Sequence, residues 1–279
     1  MDRYAEIKAN ILRMCGEYEE IRAVVAIGSQ TRSVEKADKF SDLDIFFICD
    51  KPDLMIYSDK YISRLGNVKM SFIEDTIGGG KERRILLEKY LDVDIIPMTP
   101  QDFERLIRDK TLTVLFSRGY GILFDRCGVT ELLSSAEIAP SHFDVISEEE
   151  FNNLANDFFF HVVWAKKKIL RGELWCAKMC VDGYLKNHLL RIIQLCMVCR
   201  NGEAYDVWHD GRMLEKWAEG DIVSPLGKCF ARYDSGEMSL ALWETCKLFA
   251  RLSEECAEKL GYDYPRDARD FAMDFIQLG

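Results

Sequence analysis

Residues 21–50 read IRAVVAIGSQTRSVEKADKFSDLDIFFICD. Arg22 to Ile27 (RAVVAI) is rich in β-branched residues and reads as a strand. It stops at Gly28-Ser29, a tight break, and a polar loop follows from Gln30 to Phe40. Asp42 to Cys49 (DLDIFFIC) then reads as a second strand. Alternate residues of a strand face the same way, so Asp42 and Asp44 project from one face while Leu43 and Ile45 go to the other. Two carboxylates roughly 7 Å apart along a strand repel each other unless a cation lies between them. Hard divalent ions such as Mg²⁺ take carboxylate oxygens together with substrate phosphates. Gly28 lets the backbone approach a ligand closely, and Ser29 offers a hydroxyl and an N–H, a pair suited to phosphate oxygens.

Further along, Lys69 to Ile73 and Leu91 to Ile96 are two more strand candidates, with Gly78-Gly79-Gly80 between them as a turn. The later strand carries Asp92 and Asp94, and either could complete a three-carboxylate site, because alternation gives them the same face. A lone DxD is more often a solvated strand edge than a site, and a lone Gly-Ser is usually just a turn. The ordered set is far more specific: strand, GS, loop, DxD on a strand, then a later Asp-bearing strand.

The surrounding chain bounds the reading. Of 279 residues, 48% are hydrophobic and 30% charged, which excludes wholesale disorder and suits one large domain or two ordinary ones. A net charge of −10 argues against a nucleic-acid partner and is compatible with a cationic one. Apolar runs such as Ile45 to Cys49 are too short to span a bilayer, and MDRYAEIKAN lacks the apolar core of a signal peptide, so a cytoplasmic location without membrane contact is expected. The ten cysteines are then expected to be reduced and mostly buried. Tyr4, Ile7, Ile11 and Leu12 recur at helical spacing, with Gly16 as a stop. Residues 134–147 contain Pro140 and no clear period, as a linker would. Beyond them helices dominate. Phe151, Leu154, Phe158, Val162, Ala165 and Ile169 form one stripe, and Leu185, Leu189, Ile192, Ile193 and Cys196 a second. A third runs through Leu240, Trp243, Cys246, Phe249, Leu252, Cys256 and Leu260. The expected class is α+β: an N-terminal mixed sheet with flanking helices over residues 1–135, then a C-terminal helical bundle over residues 136–279.

The Gly28-Ser29, Asp42/Asp44 pattern resembles the nucleotidyltransferase signature of the DNA polymerase β superfamily. Residues 21–50 are similar, more narrowly, to the N-terminal segment of aminoglycoside 6-adenylyltransferases, the streptomycin-modifying enzymes. DVDIIPM, RDKTLTVLFSRG, EEEFNNLANDFFFHVVWAKKKILRGELWCA, NHLLRIIQL, MLEKWAE and LWETCKLFARLSEECAEKLGYDYP resemble later family segments in the same order. The resemblance implies a polymerase β-like nucleotidyltransferase domain followed by a helical substrate-binding domain. It implies transfer of AMP from ATP to a hydroxyl of a streptomycin-like aminoglycoside, a cationic acceptor, by two-metal in-line displacement that releases pyrophosphate. On this resemblance Asp42, Asp44 and Asp94 are the Mg²⁺ ligands, and Asp94, rather than Asp92, matches the third carboxylate. Asp94 is also the candidate base, and Gly28 and Ser29 cradle the triphosphate.

The chain departs from the family in three places. Gln30 stands where Arg usually follows the Gly-Ser, leaving Arg32 as the candidate to replace that charge. The loop at Gly78 to Lys81 is shorter than the family's and bears on acceptor identity. His209 and Arg212 stand where the family has two lysines, making both candidate nucleotide contacts; Lys110 and Arg118 are further phosphate candidates. The Gln30 and loop departures motivate one alternative, another small hydroxyl acceptor such as a lincosamide; a second, of another class, is a non-catalytic nucleotide-binding regulator that retains the fold. GGGK at Gly78 to Lys81 lacks the spacer and Ser/Thr of a P-loop, and Cys196-x-x-Cys199 lies in an apolar helical segment rather than a zinc knuckle. Lys166 to Lys168 read as a solvated helix face, and the five tryptophans as packing residues. Asp157, Glu173 and Asp182 are acidic candidates for a cationic drug.

Overall fold

The first part of the chain builds six strands: β1 (Ile21–Ile27), β2 (Leu43–Cys49), β3 (Val68–Asp75), β4 (Lys81–Leu87), β5 (Leu91–Met98) and β6 (Gly121–Asp125). In this computed structural model, which describes residues 2–76, 79–138 and 143–277, they form one sheet in the order β3-β4-β5-β2-β1-β6. β2 and β5 run parallel, and every other neighbouring pair is antiparallel, so the sheet is mixed. β1, β2 and β5 are buried almost end to end, as central strands covered on both faces must be.

Each face has its own core. Leu43, Ile45 and Phe47 point with Val93 and Ile95 toward Tyr4, Ile7, Ile11 and Met14 of the helix Ala5–Glu17 and its N-cap. Phe46, Ile48 and Ile96 point the other way, toward Phe103 and Ile107 of the helix Pro100–Arg108 and toward Phe116. Phe46 stacks on Phe116 and meets Phe103 edge-on, with centroids 5.7 and 5.9 Å apart.

The chain divides into two compact units, Met1–Ser141 and His142–Gly279. The second is helical. Its main helices are Glu148–Leu170, Leu185–Asn201, Ser235–Leu260 and Arg266–Gln277. Ser147 and Glu150 form a reciprocal capping box at the first of these. Phe158 and Phe249 stack face to face at its centre, 3.6 Å between centroids. The α+β class expected from the patterning is the observed one: a mixed sheet with flanking helices, then a helical unit. Among the described residues, no helix is long and apolar enough to cross a membrane.

Several local expectations need correction. Leu12 and Leu240 are exposed rather than in their stripes, while Met14, Cys15, Met238 and Leu242 fill those positions. The first helix runs through Gly16 to Glu17, because the contacts of Met14 and Cys15 outweigh the cost of one glycine. Lys166 is buried, so the lysine run is not a uniformly solvated face. Trp175 is 69% exposed and is not a packing residue. Cys127 and Cys176 are the exposed thiols of the ten. The expected turn includes Gly78 and the expected linker includes Pro140, both of which lie outside the described residues.

Candidate active site

The parallel register of β2 and β5 sets Asp44 beside Asp94. Both side chains therefore leave the same face of the sheet at the same height. Asp42 sits two residues before Asp44, just ahead of β2, rather than within the strand as expected. One oxygen from each of Asp42, Asp44 and Asp94 lies within 4.8 Å of the others. Asp92 pairs across the sheet with Leu86 and stays exposed, outside this group. Register thus distinguishes two residues that alternation leaves equivalent.

The turn after β1 packs against these carboxylates. Gly28 adopts φ +70°, a left-handed conformation that L side chains rarely adopt. A Cβ there would press into the Asp44 carboxylate, 3.3 Å from its Cγ and closer still to Oδ2. Glycine is required twice over, by backbone angle and by space. Ser29 Oγ and Gln30 Nε2 both donate to the Asp42 carbonyl, at 3.3 and 2.9 Å. Tyr4 donates its hydroxyl to the Ser41 carbonyl at 2.9 Å. Gln30, noted as a departure from the family, therefore holds the backbone that presents Asp42. Thr31 ties the far side of the turn to the Gly119 carbonyl at 2.9 Å.

Two residues unremarked in the sequence complete the geometry. Arg84 on β4 lies directly across from Asp94. Its Nε and Nη2 donate to the two Asp94 oxygens at 3.1 and 3.0 Å, and its Nη1 donates to Glu74 at 3.2 Å. Glu82, two residues before Arg84, shares a hydrogen bond with Glu74. Their signal was the alternation in KERRILL, where Arg83, Ile85 and Leu87 are buried and Glu82 and Arg84 face the other way. The charges hid it.

Burial dominates the electrostatics. It pushes the Asp94 carboxyl above the usual carboxylate range; the Arg84 guanidinium pulls it down without cancelling the effect, and the charges of Asp42 and Asp92 push it further up. Burial likewise pushes Glu82 up to about 7, helped by the hydrogen bond with Glu74 and the nearby Asp94 charge. Three converging carboxylate oxygens are hard donors with no thiolate or imidazole among them. That donor set fits a hard divalent cation, so Asp42, Asp44 and Asp94 could hold one.

Arg32 donates to the Glu35 carbonyl within its own loop. Lys110 pairs with Glu137 at 2.6 Å, and Arg118 is half-buried. Arg212 belongs to the helical unit, where it is exposed and its carbonyl accepts a hydrogen bond from Trp217. Asp157 there is held by Tyr184, His161 and His188, Glu173 by Lys168 and Arg171, and Asp182 by Lys178.

A family model described as streptomycin adenylyltransferase matches residues 1–278. An aminoglycoside 6-adenylyltransferase of Campylobacter jejuni is 22% identical over 278 residues, covering 93% of this chain and 90% of the relative. One from Staphylococcus aureus is 22% identical, with 91% and 92% covered. One from Bacillus subtilis (strain 168) is 21% identical, with 88% and 87% covered. A crystal structure of an aminoglycoside 6-adenyltransferase from Bacillus subtilis aligns with a TM-score of 0.48 and 16% identity, over 98% of this chain and 96% of that one. With its family model matched from the first residue to the last but one, the chain belongs to the streptomycin adenylyltransferase family and is a nucleotidyltransferase.

Proposed function

We propose that this enzyme transfers AMP from ATP to a hydroxyl of a streptomycin-like aminoglycoside. The observation that carries the reading is the Asp42, Asp44, Asp94 triad, its oxygens mutually within 4.8 Å, in a chain of this family. The acceptor class rests on the three relatives, each named an aminoglycoside 6-adenylyltransferase. The acceptor oxygen forms a bond to the α-phosphorus while the bond to the β-phosphate bridging oxygen breaks, and pyrophosphate leaves. Magnesium ions bound at the triad would supply positive charge to the attacking and leaving oxygens.

The chain's own residues divide the work. Asp42, Asp44 and Asp94 hold the cations. Gly28 and Ser29 bring backbone N–H groups to the triphosphate, and Arg32 supplies positive charge to the nucleotide. Asp94, raised above the usual carboxylate range by burial, is the proposed acceptor of the hydroxyl proton. In this reading residues 1–135 perform nucleotidyl transfer and residues 136–279 bind the acceptor.

The test is pyrophosphate release with ATP, Mg²⁺ and a panel of hydroxyl acceptors, comparing the parent with Asp42→Asn. Streptomycin-dependent release in the parent, absent in the variant at unchanged melting temperature, is the expected result. Release with a lincosamide but not with streptomycin would move the acceptor to another class. A fully active variant would overturn the site.

A further inference from the structure

Both oxygens of Asp94 are already claimed. Arg84 grips them as a planar fork, at 3.1 and 3.0 Å. The grip is built into the sheet, because Arg84 and Asp94 are cross-strand partners on β4 and β5. It is also braced from behind, since the third guanidinium nitrogen donates to Glu74 on β3. Asp94 is 5% exposed, so water does not compete for it as it would at the surface. A carboxylate offers about four lone-pair sites on its two oxygens. A bidentate guanidinium occupies one on each oxygen and fixes the plane of the group. Asp94 is thereby aimed at Asp42 and Asp44 but left with only its outer lone pairs for anything else.

We propose that Arg84 is a positioning residue that orients Asp94 and, by its charge and its hold on the carboxylate, keeps the triad weak for a free divalent cation until a nucleoside triphosphate supplies further oxygens. The proposal rests on the reading of Asp42, Asp44 and Asp94 as a metal site. Two effects of opposite sign follow. Removing the guanidinium takes a positive charge away from three clustered carboxylates and releases lone pairs on Asp94, so free cation binds more tightly. It also lets the Asp94 carboxyl rotate, so transfer slows. A side chain with a merely structural role would not tighten metal binding when lost.

The experiment is a titration of Mn²⁺ without nucleotide, read from the electron paramagnetic resonance signal of unbound Mn²⁺, on the parent, R84Q, R84K and D42N. R84Q is expected to bind Mn²⁺ about five- to tenfold more tightly than the parent, with a parallel fall in the Mg²⁺ concentration giving half-maximal rate and at least a tenfold lower kcat. R84K keeps the charge but cannot form the fork, and its affinity should fall between the two. If R84Q does not fold, R84K alone decides: tighter binding supports the proposal and unchanged or weaker binding overturns it. Unchanged or weaker Mn²⁺ binding by folded R84Q, with D42N reduced relative to the parent, overturns the role of Arg84 and leaves the metal site standing. Mn²⁺ binding that is absent from the parent and from R84Q alike, or unaffected by D42N, overturns both.

Discussion

Gly28→Ala separates the geometry of the site from the stability of the fold. The residue sits at φ +70°, and its missing Cβ faces the Asp44 carboxylate. Alanine in the left-handed region costs about 1–2 kcal/mol. In addition, ordinary van der Waals contact begins at 3.4 Å, and the added methyl would lie inside 3.0 Å of Asp44 Oδ2. The carboxylate must retreat by about 1 Å, or the turn must open by as much. Stability should therefore fall by about 1–2 kcal/mol, or roughly 3–8 °C in melting temperature for a unit of this size. A misplacement approaching 1 Å at a reacting centre costs about a hundredfold in rate. Circular-dichroism melting and acceptor-dependent pyrophosphate release measure the two effects on one preparation. The expected outcome is a modest loss of stability with about a hundredfold loss of activity. Parent-level turnover would refute the claim that Gly28 makes room for Asp44. Activity falling only in proportion to unfolded protein would refute it as well.

Other perturbations probe the rest of the molecule. Gly16 lies in the helix Ala5–Glu17 with nothing within 4 Å of where a Cβ would sit, so Gly16→Ala should stabilise by about 0.5–1 kcal/mol in urea unfolding. Glu82, near Glu74, Asp94 and Arg84, titrates at about 7 when folded against an ordinary 4.5, so the folded state binds its proton more tightly. Its contribution to stability is complete below about pH 4.5 and is lost as the pH rises through about 7. Glu82→Gln removes that loss; its stability relative to the parent should rise between pH 5 and pH 8, by about 1 kcal/mol after discounting for solvent exposure. Phe249→Ala empties the face-to-face stack with Phe158, 3.6 Å between centroids, and should cost about 3–5 kcal/mol in denaturant unfolding.

The central strands were legible in the sequence because little competes with their pattern. RAVVAI and DLDIFFIC are rich in β-branched or aromatic residues, the first ended by Gly28, and both became interior strands. The third carboxylate was legible only in part. Asp92 and Asp94 have equal parity, and pairing of β5 beside β2 is a long-range fact that a single strand does not encode. β4 was hidden because its buried face includes Arg83, whose Nη atoms donate to the carbonyls of Ile56 and Ser58, to Asp59 and to Ser71. Overlooking β4 also concealed Arg84 and Glu82, since neither forms a recognisable motif until the sheet brings it beside Asp94. β6 is a short edge strand of half-buried residues and carries little hydrophobic signal of its own. In the helical unit the stripes gave the helices, but Leu240 and Lys166 show that period alone does not say which neighbour covers a face.

The convergence of Asp42, Asp44 and Asp94 on divalent metal is tested most directly by anomalous diffraction from crystals grown with Mn²⁺ and a non-hydrolysable ATP analogue. Manganese density bounded by all three carboxylates, with the analogue's phosphates completing the coordination, is the predicted result. Manganese bound to the nucleotide alone, or at any place that does not include both Asp44 and Asp94, would contradict it.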